Sequence, residues 1–474
     1  MLSPLYVLYL AVGLVLAPMV AWAVVKTVRG ARGGRELRRS MWQATRIRLG
    51  WPRLARLLDL YLKDPTPKFP RARRLIRSRE PERILARVHP KLPKLRVHAD
   101  EFGVIIRART LAKVGLAEWQ PHAQHLADHW GCTRVSVEQD RPGRLLIRAI
   151  RRDPLTVALS HTPTGEEPTS LGAVPIGLDE YARPVPIRLA AVPGIAVSGV
   201  SGFGKTSLIN GLITILAPSP NVQLAVIDGK GDDHGVGPDY VDLTSRMWTF
   251  CGRDLEQARD LLLKVEDLRQ RRSSSLREVL NSKNVWTSNN GQPGFTRDWP
   301  LVLLIIDESH TFMSMLKDGG DQRLRKRNSL AAEIIMLTEG LVKLGRQVGI
   351  VTVLATQKPT GDGIPTQIRD NCPVAIAFAL KTRAAAVAAL GDDISEFPDA
   401  SPVALQDPRY VGVAVMCVEG RRGFTRIRTH YTSDEDTARI ATANAHLTAD
   451  PTALLPTRRL STVQDPPETV AEAA

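Results

Sequence analysis

The sequence predicts an α/β fold in which a wound sheet carries a phosphate-binding loop. From about residue 172 to residue 428, apolar strands alternate with helical segments, which is typical of this class. Residues 199–206 have the sequence Gly-Val-Ser-Gly-Phe-Gly-Lys-Thr and lie between an apolar run and a helical segment. This pattern in a strand–loop–helix context predicts nucleotide binding. Near-continuous apolar runs indicate central parallel strands, predicted at 195–197, 224–227, 301–306, 350–355, 374–379 and 412–418.

The N-terminal residues predict a membrane anchor. Residues 2–25 contain no charged side chain and are rich in Leu, Val and Ala, and they can span a hydrocarbon core of about 30 Å as a helix. Six Lys and Arg residues follow between positions 26 and 39, and the positive-inside rule keeps this flank cytoplasmic. A cleavable signal peptide is the alternative, because Ala21-Trp22-Ala23 resembles a cleavage site. Since no basic residue precedes the apolar run, we expect an uncleaved single-pass anchor over residues 1–25.

A basic juxtamembrane segment is expected over residues 26–94. The chain carries a net charge of +15, and residues 26–100 contain 22 Lys and Arg against six acids, so the remainder is close to neutral. Trp42, Trp51 and Tyr61 are interleaved with these arginines, which is typical of a membrane interface. We expect lipid contact over residues 26–56. Contact with a DNA backbone is the alternative for residues 71–79, and a simple solvated face is the alternative for the whole segment.

The remaining boundaries follow from composition and periodicity. Residues 95–152 predict a small α/β domain with strands at 104–109, 133–138 and 145–150 and a helix at 121–130. The four cysteines are far apart and form no CxxC pair, which argues against a disulfide framework or a cysteine zinc site. The further predicted parts are a linker at 153–171, an ATPase domain at 172–430, and a short helix with a disordered tail at 431–474.

The phosphate loop predicts the binding of ATP and Mg²⁺. Its glycines let the backbone direct N–H groups at phosphate oxygens, and the following helix adds a positive N-terminus. Lys205 can reach the β and γ phosphates, and the hydroxyl of Thr206 can ligate Mg²⁺. The predicted nucleotide-binding residues of this Walker A loop are Gly199, Val200, Ser201, Gly202, Phe203, Gly204, Lys205, Thr206 and Ser207.

Polar residues at the ends of other strands complete the predicted site. Asp307 and Glu308 follow the run 301–306, and carboxyl ends of parallel strands face the same crevice as the loop. We predict that Asp307 holds Mg²⁺ and that Glu308 polarises the attacking water. Gln357, after the run at 350–355, is a candidate γ-phosphate sensor. Arg346 is a candidate arginine supplied to a neighbouring subunit, and the segment 228–231 borders the nucleotide or a subunit contact.

Several stretches resemble the FtsK/SpoIIIE-type membrane-anchored DNA translocases, including related transfer proteins of conjugative elements. They include Ile-Gly-Leu-Asp from residue 176, the phosphate loop, and Ile-Ile-Asp-Glu from residue 305. The most specific are Gly-Arg-Gln-Val-Gly-Ile from residue 345, Leu-Ala-Thr-Gln-Lys-Pro from residue 354, and Ile-Arg-Asp-Asn from residue 368. The resemblance implies a RecA-like fold, a homo-hexameric ring, and double-stranded DNA threaded through its pore. It also marks Arg346 as the trans-acting finger and Gln357 as the sensor.

The sequence departs from that family in three ways. One membrane helix is expected instead of several, and residues 384–387 lack an arginine that the family usually has. About 45 residues follow Arg428, too few for a DNA-reading winged helix, so we expect a DNA-loading partner or weak sequence preference. The function expected is ATP-dependent translocation of double-stranded DNA at the cell membrane, for conjugative element transfer or chromosome segregation in cell division. A secretion-type ATPase driving protein export is the alternative.

Overall fold

The structure, a computed structural model, describes residues 34–63, 90–232, 235–361, 363–417 and 423–454. The anchor expected at residues 1–25, much of the basic segment, and residues 455–474 of the expected tail lie outside these ranges. Within the described ranges, no helix combines the length and the apolar composition that a membrane span requires. Two compact units contain the described residues. The first lies within Met1–Val157 and Leu178–Arg183, and the second within Ala158–Gly177 and Pro184–Ala474.

The first unit contains a four-stranded antiparallel sheet. Its strands are β1 Leu95–Ala99, β2 Gly103–Arg109, β3 Arg134–Arg141 and β4 Arg144–Ile150, and the helices among its described residues are α1 Gly34–Leu57, α2 Leu116–Trp119 and α3 Ala123–Trp130. The strand order is β1-β2-β4-β3. Strand β1 was missing from the sequence prediction, because this edge strand buries only Val97 and Ala99 and exposes Arg96 and His98.

Helix α1 packs its apolar face onto this sheet. Ile47, Trp51 and Leu54 are buried, and the ring of Trp51 stacks on Trp119 with centroids 5.0 Å apart. The indole N–H of Trp51 donates a 2.9 Å hydrogen bond to the carbonyl of Pro93. The assignment of Trp51 to a membrane interface was therefore wrong. An aromatic residue among arginines is equally typical of an amphipathic helix that packs on protein. Trp42, on the same helix, is 67% exposed.

The second unit is built on an eleven-stranded mixed sheet. The strands are β5 Leu159–Ser160, β6 Val174–Asp179, β7 Pro184–Ile187, β8 Gly194–Ser198, β9 Val222–Asp228, β10 Met247–Cys251, β11 Leu301–Asp307, β12 Ile350–Thr356, β13 Val374–Ala377, β14 Val413–Cys417 and β15 Phe424–Tyr431. The order is β10-β9-β11-β12-β8-β13-β14-β15-β6-β7, with β5 pairing to β15. Every residue of β9, β11 and β12 is buried, as the apolar runs predicted.

The sheet is parallel from β10 to β13 and antiparallel from β13 through β15. All six strands predicted from apolar runs are present. The last of them, predicted at 412–418, is β14 and runs antiparallel to β13, which corrects its expected parallel direction. The physical reason is that an apolar run reports burial on both faces and carries no information about strand direction.

Helices cover this sheet and connect its parallel strands. They are α4 Lys205–Leu216, α5 Leu255–Leu280, α6 His310–Met313, α7 Gln322–Leu344, α8 Thr366–Arg369, α9 Arg383–Leu390, α10 Asp434–Ala443 and α11 Pro451–Leu454. Because β8, β9, β11 and β12 are parallel neighbours, the loops after them open at the same edge of the sheet. That edge carries the predicted site.

Candidate nucleotide-binding site

The phosphate loop joins the end of β8 to the start of α4. Lys205 begins the helix, and Gly204 precedes it with φ of +110°, a left-handed backbone that favours glycine. A Cβ at Gly204 would lie 3.1 Å from both Cα of Gly412 and Cε1 of Phe378. Both the backbone angle and the close contact therefore require glycine here. A helix N-terminus after such a loop favours an anion.

Two backbone hydrogen bonds fix the loop to neighbouring strands. The N–H of Val200 donates to the carbonyl of Ala379 at 2.9 Å, and the N–H of Gly412 donates to the carbonyl of Phe203 at 3.0 Å. Val200 and Phe203 thus connect the loop to the residues that follow β13 and precede β14. The loop is held as part of the sheet edge.

Lys205 is almost fully buried, with 4% of its surface exposed. Its ammonium donates a 2.8 Å hydrogen bond to the carbonyl of Gly199, on the same loop. Burial lowers the pKa of Lys205, while the nearby carboxylates of Glu308 and Asp307 oppose that shift. The structure therefore places the lysine charge inside the loop and close to both predicted acids.

Asp307 ends β11 and is completely buried. The Tyr240 hydroxyl donates to its Oδ2 at 3.0 Å, and the N–H of Glu308 donates to its Oδ1 at 2.8 Å. Burial raises the pKa of Asp307, and the positive charge of Lys230 opposes this. Tyr240 and the turn after β11 hold the carboxylate in one orientation.

Glu308 adopts a left-handed backbone, with φ of +48°, although it is not glycine. Its side chain is buried and surrounded by polar partners. The side-chain amide of Gln357 donates to Oε1 at 2.5 Å, and Nδ1 of His310 lies 3.3 Å from Oε2. Burial lowers the pKa of His310, which favours the neutral imidazole. A strained backbone that positions a buried carboxylate is typical of a functional site.

A cleft of about 530 Å³ lies over the phosphate loop. It extends from the loop past the segment after β9 to the ends of β14, β15 and β5. Its lining residues are Ala158, Leu159, Ser201, Gly202, Gly204, Lys205, Thr206, Ser207, Lys230, Asp239, Val411, Gly412, Arg428, Thr429, His430 and Tyr431. This volume is within the range of small-molecule sites.

Comparison with known families identifies the domain around this cleft. Residues 158–388 match the model of the FtsK/SpoIIIE family. The chain carries an FtsK/SpoIIIE-family domain. The match contains the phosphate loop, both acids after β11, and Gln357. Proteins of this family are P-loop ATPases, so the comparison supports ATP use by the domain.

Individual relatives agree with the family match. The chain is 24% identical over 251 residues to DNA translocase FtsK 1 of Neisseria meningitidis serogroup B, covering 49% of this chain and 29% of that protein. It is 28% identical over 231 residues to DNA translocase FtsK of Treponema pallidum, covering 48% of this chain and 26% of that protein. The aligned part thus spans less than a third of the length of these relatives.

A solved structure shares the fold. The pCW3 conjugation coupling protein TcpA, in its monomer form with ATPgS, superimposes with a TM-score of 0.50 at 19% identity. The similarity covers 74% of this chain and 94% of that chain. At this identity the likeness concerns the fold, which is a P-loop NTPase-like mixed α/β sheet.

Lys230 of the FtsK/SpoIIIE-family domain reaches the site from the neighbouring strand end. It belongs to the segment 228–231, which the sequence placed at the nucleotide or at a subunit contact, and it lines the cleft. Its ammonium lies 3.0 Å from Oδ2 of Asp239 and 3.6 Å from Oε1 of Glu308. Although burial opposes it, these carboxylates and Asp307 raise the pKa of Lys230. A second lysine charge therefore faces the cleft beside Lys205.

Arg346 lies at the opposite edge of the sheet of the FtsK/SpoIIIE-family domain. It precedes β12, whereas the phosphate loop follows β8, and these two strands are parallel. Its Nε donates a 3.2 Å hydrogen bond to the carbonyl of Ala190, just before β8. A seven-residue strand is about 20 Å long, so Arg346 does not reach the phosphate loop of its own chain.

Two parts of this site have no signal in the local sequence. Tyr240, the partner of Asp307, lies in an irregular segment 67 residues earlier in the chain, and no local pattern indicates such a contact. The wall formed by Leu159, Val411, His430 and Tyr431 also went unnoticed. The strand predicted at 412–418 begins next to Val411. The pairing of β5 with β15, which places Leu159 beside His430, joins residues far apart in the sequence.

Proposed function

We propose that this protein is an ATP-driven motor that translocates double-stranded DNA at the cell membrane. The observation that carries the proposal is the meeting of Lys205, Asp307, Glu308 and Gln357 at one sheet edge of an FtsK/SpoIIIE-family domain. The curated homologues are DNA translocases by name. The fold that the chain shares with a conjugation coupling protein supports conjugative element transfer as the process served. Chromosome segregation is the alternative process, because it also requires DNA to be moved.

Each residue of the site has a separate role in the proposed hydrolysis of ATP. The loop N–H groups, Lys205 and the start of α4 bind the phosphates. Glu308 accepts a proton from the attacking water, and Gln357 orients Glu308 and senses the γ-phosphate. The side-chain amide and the backbone N–H of Gln357 donate to the two carboxylate oxygens of Glu308, and Nδ1 of His310 lies beside Oε2. Nucleotide binding has to loosen these contacts before Glu308 can orient water.

The side chains present fit a magnesium ion. Each carboxylate oxygen of Asp307 accepts one hydrogen bond from the protein, so each keeps a further lone pair, and Thr206 lines the cleft. Magnesium takes one or two protein oxygens together with phosphates and water. We propose that Thr206 and Asp307 hold it. When bound, the ion neutralises charge on the phosphate oxygens.

The assembly proposed is a homo-hexameric ring in which Arg346 acts in trans. Since Arg346 lies far from the loop of its own chain, it is available to the site of a neighbouring subunit, where it stabilises transition-state charge. We further propose that residues 1–25 form a single-pass anchor with the ATPase in the cytoplasm. A loading partner delivers the DNA, and contacts to the DNA are phosphate-directed and sensitive to salt.

The test is the ATPase rate of the full-length protein with and without long linear double-stranded DNA. We expect a stimulation that grows with DNA length and that Glu308→Gln and Lys205→Ala abolish. Glu339→Gln is the matched control, because Glu339 lies on α7, outside the site, and pairs with Lys343. Hydrolysis that is intact and indifferent to DNA would overturn the proposal and favour protein export.

A further inference from the structure

A short turn between α7 and β12 carries Arg346. The N–H of Gly349 donates to the carbonyl of Arg346 at 3.1 Å, and the N–H of Ile350 donates to the carbonyl of Gly345 at 3.0 Å. Gly349 has φ of +82°, a left-handed backbone that favours glycine. The backbone of the turn is therefore closed on itself just before β12 begins. We name residues 345–349 the Arg346 turn.

Two tryptophans from the segment between α5 and β11 donate hydrogen bonds to carbonyls of this turn. The indole N–H of Trp286 donates to the carbonyl of Arg346 at 2.8 Å, and that of Trp299 donates to the carbonyl of Val348 at 3.1 Å. Both tryptophans are buried. The ring of Trp286 also meets Phe295 edge to face, with centroids 4.7 Å apart. Buried donors that converge on one turn fix its position relative to the core.

A third donor to the turn is a buried arginine of α5. Nη1 of Arg272 donates to the carbonyl of Val348 at 3.0 Å, and its Cζ lies 5.2 Å from the centroid of the Trp299 ring. The side chain is completely buried, and among the described residues its Nε and Nη2 make no hydrogen bond. Burial lowers the pKa of Arg272 to about 9. Since a buried charge without a counter-charge destabilises a fold, an apolar side chain would serve a purely structural role better.

The side chain of Arg346 is held near its middle and open at its end. Its Nε donates to the carbonyl of Ala190 at 3.2 Å, and its backbone carbonyl accepts from Trp286. In the part of the chain that the structure describes, Nη1 and Nη2 of Arg346 make no hydrogen bond or ion pair, and the residue is half-buried. The forked N–H groups of a guanidinium match the paired oxygens of a phosphate. The two terminal nitrogens are thus available to an anion from outside the subunit.

We propose that Trp286, Trp299 and Arg272 are positioning residues for ATP hydrolysis in a neighbouring subunit. They hold the Arg346 turn, so that Nη1 and Nη2 of Arg346 reach the phosphates of the nucleotide that the neighbour binds. This inference rests on the proposed function, because it assumes that Arg346 acts in trans. The turn and the phosphate loop lie at opposite edges of the parallel sheet. The three residues therefore act through Arg346 and not on the site of their own chain.

The first experiment separates turnover from ATP binding in the full-length protein. Trp286→Phe keeps an aromatic ring and removes the N–H that bonds to the carbonyl of Arg346. We expect its kcat to fall about tenfold, because small displacements of a group that acts on the transition state have effects of this size or larger. Its affinity for a slowly hydrolysed ATP analogue should not change, and Trp299→Phe should behave in the same way. Trp248→Phe is the matched control, because among the described residues the indole N–H of Trp248 makes no hydrogen bond.

The second experiment locates the defect in one subunit or the other. A Trp286→Phe subunit keeps an intact phosphate loop, and a Lys205→Ala subunit keeps an intact Arg346 turn. Adding an excess of Lys205→Ala should raise the ATPase rate per Trp286→Phe subunit about fivefold, because most of these sites then receive a correctly held Arg346. A defect inside the site of the Trp286→Phe subunit would not be repaired in this way. The mixture of Arg346→Ala with Lys205→Ala is the reference.

The outcomes separate this inference from the proposed function. Activity restored in the reference mixture, without a rise in the Trp286→Phe mixture, overturns the positioning role and leaves the trans role of Arg346 intact. No restoration in either mixture overturns both. An equal loss of kcat in Trp248→Phe, or a loss of ATP affinity in Trp286→Phe, also overturns the positioning role, because it indicates a general disturbance of the domain. Trp299→Phe decides the question should Trp286→Phe fail to fold.

Discussion

The side-chain amide of Gln357 donates a 2.5 Å hydrogen bond to Oε1 of Glu308, and the backbone N–H of Gln357 donates to Oε2 at 3.2 Å. The two residues follow β12 and β11, which are parallel neighbours in the sheet. One residue therefore contacts both oxygens of the carboxylate that we propose to activate water. The orientation of Glu308 depends on the end of the next strand.

We expect Gln357→Ala to lower kcat by about 10- to 100-fold with little change in ATP affinity. The substitution removes the amide that orients Glu308, and a misplaced general base loses part of its roughly 10²- to 10⁴-fold contribution. Steady-state ATPase rates and equilibrium binding of ATP measure the two effects separately. Gln347→Ala is the control, since Gln347 is exposed before β12. A matching loss of ATP affinity would contradict the positioning role.

We expect Lys230→Met to weaken ATP binding about tenfold and to leave ADP binding nearly unchanged. The ammonium of Lys230 lies 3.6 Å from Oε1 of Glu308. If Glu308 activates water as proposed, this contact places Lys230 on the γ-phosphate side of the cleft. Titration calorimetry with ADP and a slowly hydrolysed ATP analogue measures the difference. Lys343→Met is the control, because Lys343 is an exposed residue of α7 paired with Glu339. Equal losses for both nucleotides would refute the assignment.

We expect Arg346→Ala to reduce ATPase activity about 10³-fold or more, the usual range for an arginine acting in trans. Lys205→Ala is equally inactive, but for a different reason. Mixing the two inactive proteins should restore activity, because some interfaces then combine an intact phosphate loop with an intact Arg346. The melting temperature of Arg346→Ala controls for the lost hydrogen bond to Ala190. Mixed samples as inactive as their parents would show that Arg346 does not act across subunits.

The substitution Asp307→Asn should change how the stability of the fold depends on pH. Burial raises its folded-state pKa above the ordinary carboxyl value, so the folded protein binds this proton more tightly than the unfolded chain does. Its contribution to stability is therefore fully present below about pH 4 and is lost as the pH rises through the folded pKa. We expect Asp307→Asn to be more stable than the unaltered protein at pH 7, with the difference shrinking below pH 4. Urea unfolding without Mg²⁺ or nucleotide measures this.

The control for this pH series is Asp407, whose pKa shift is opposite in direction to that of Asp307. Asp407 lies at the surface, and the hydrogen bond that Arg409 donates to its carboxylate lowers its pKa. Asp407→Asn should therefore lose a little stability above its ordinary pKa and none at low pH. A destabilised Asp307→Asn at pH 7 would show that the negative charge of Asp307 stabilises the fold.

Local patterns in the sequence predicted the elements whose determinants are local. The strand runs, the phosphate loop, and the acids after β11 each lie within a few residues, so their positions could be identified. The contact of Tyr240 with Asp307 and the pairing of β5 with β15 join residues far apart in the chain. Trp51 was misassigned because lipid and a protein core offer an indole the same apolar surroundings. The direction of β14 depends on its connection, which hydrophobicity does not encode.

The placement of Arg346 at one edge of the parallel sheet, with the phosphate loop at the other, gives each subunit a polarity. A two-fold dimer pairs one surface patch with itself, so it joins the two edges only where that patch spans the whole length of β12. Contacts that join the arginine edge of one copy to the loop edge of the next are head-to-tail. Such contacts continue until they close into a ring or extend into a filament. Under the proposed trans role of Arg346, β12 separates the site that a subunit completes in its neighbour from the site that it carries itself, by about 20 Å.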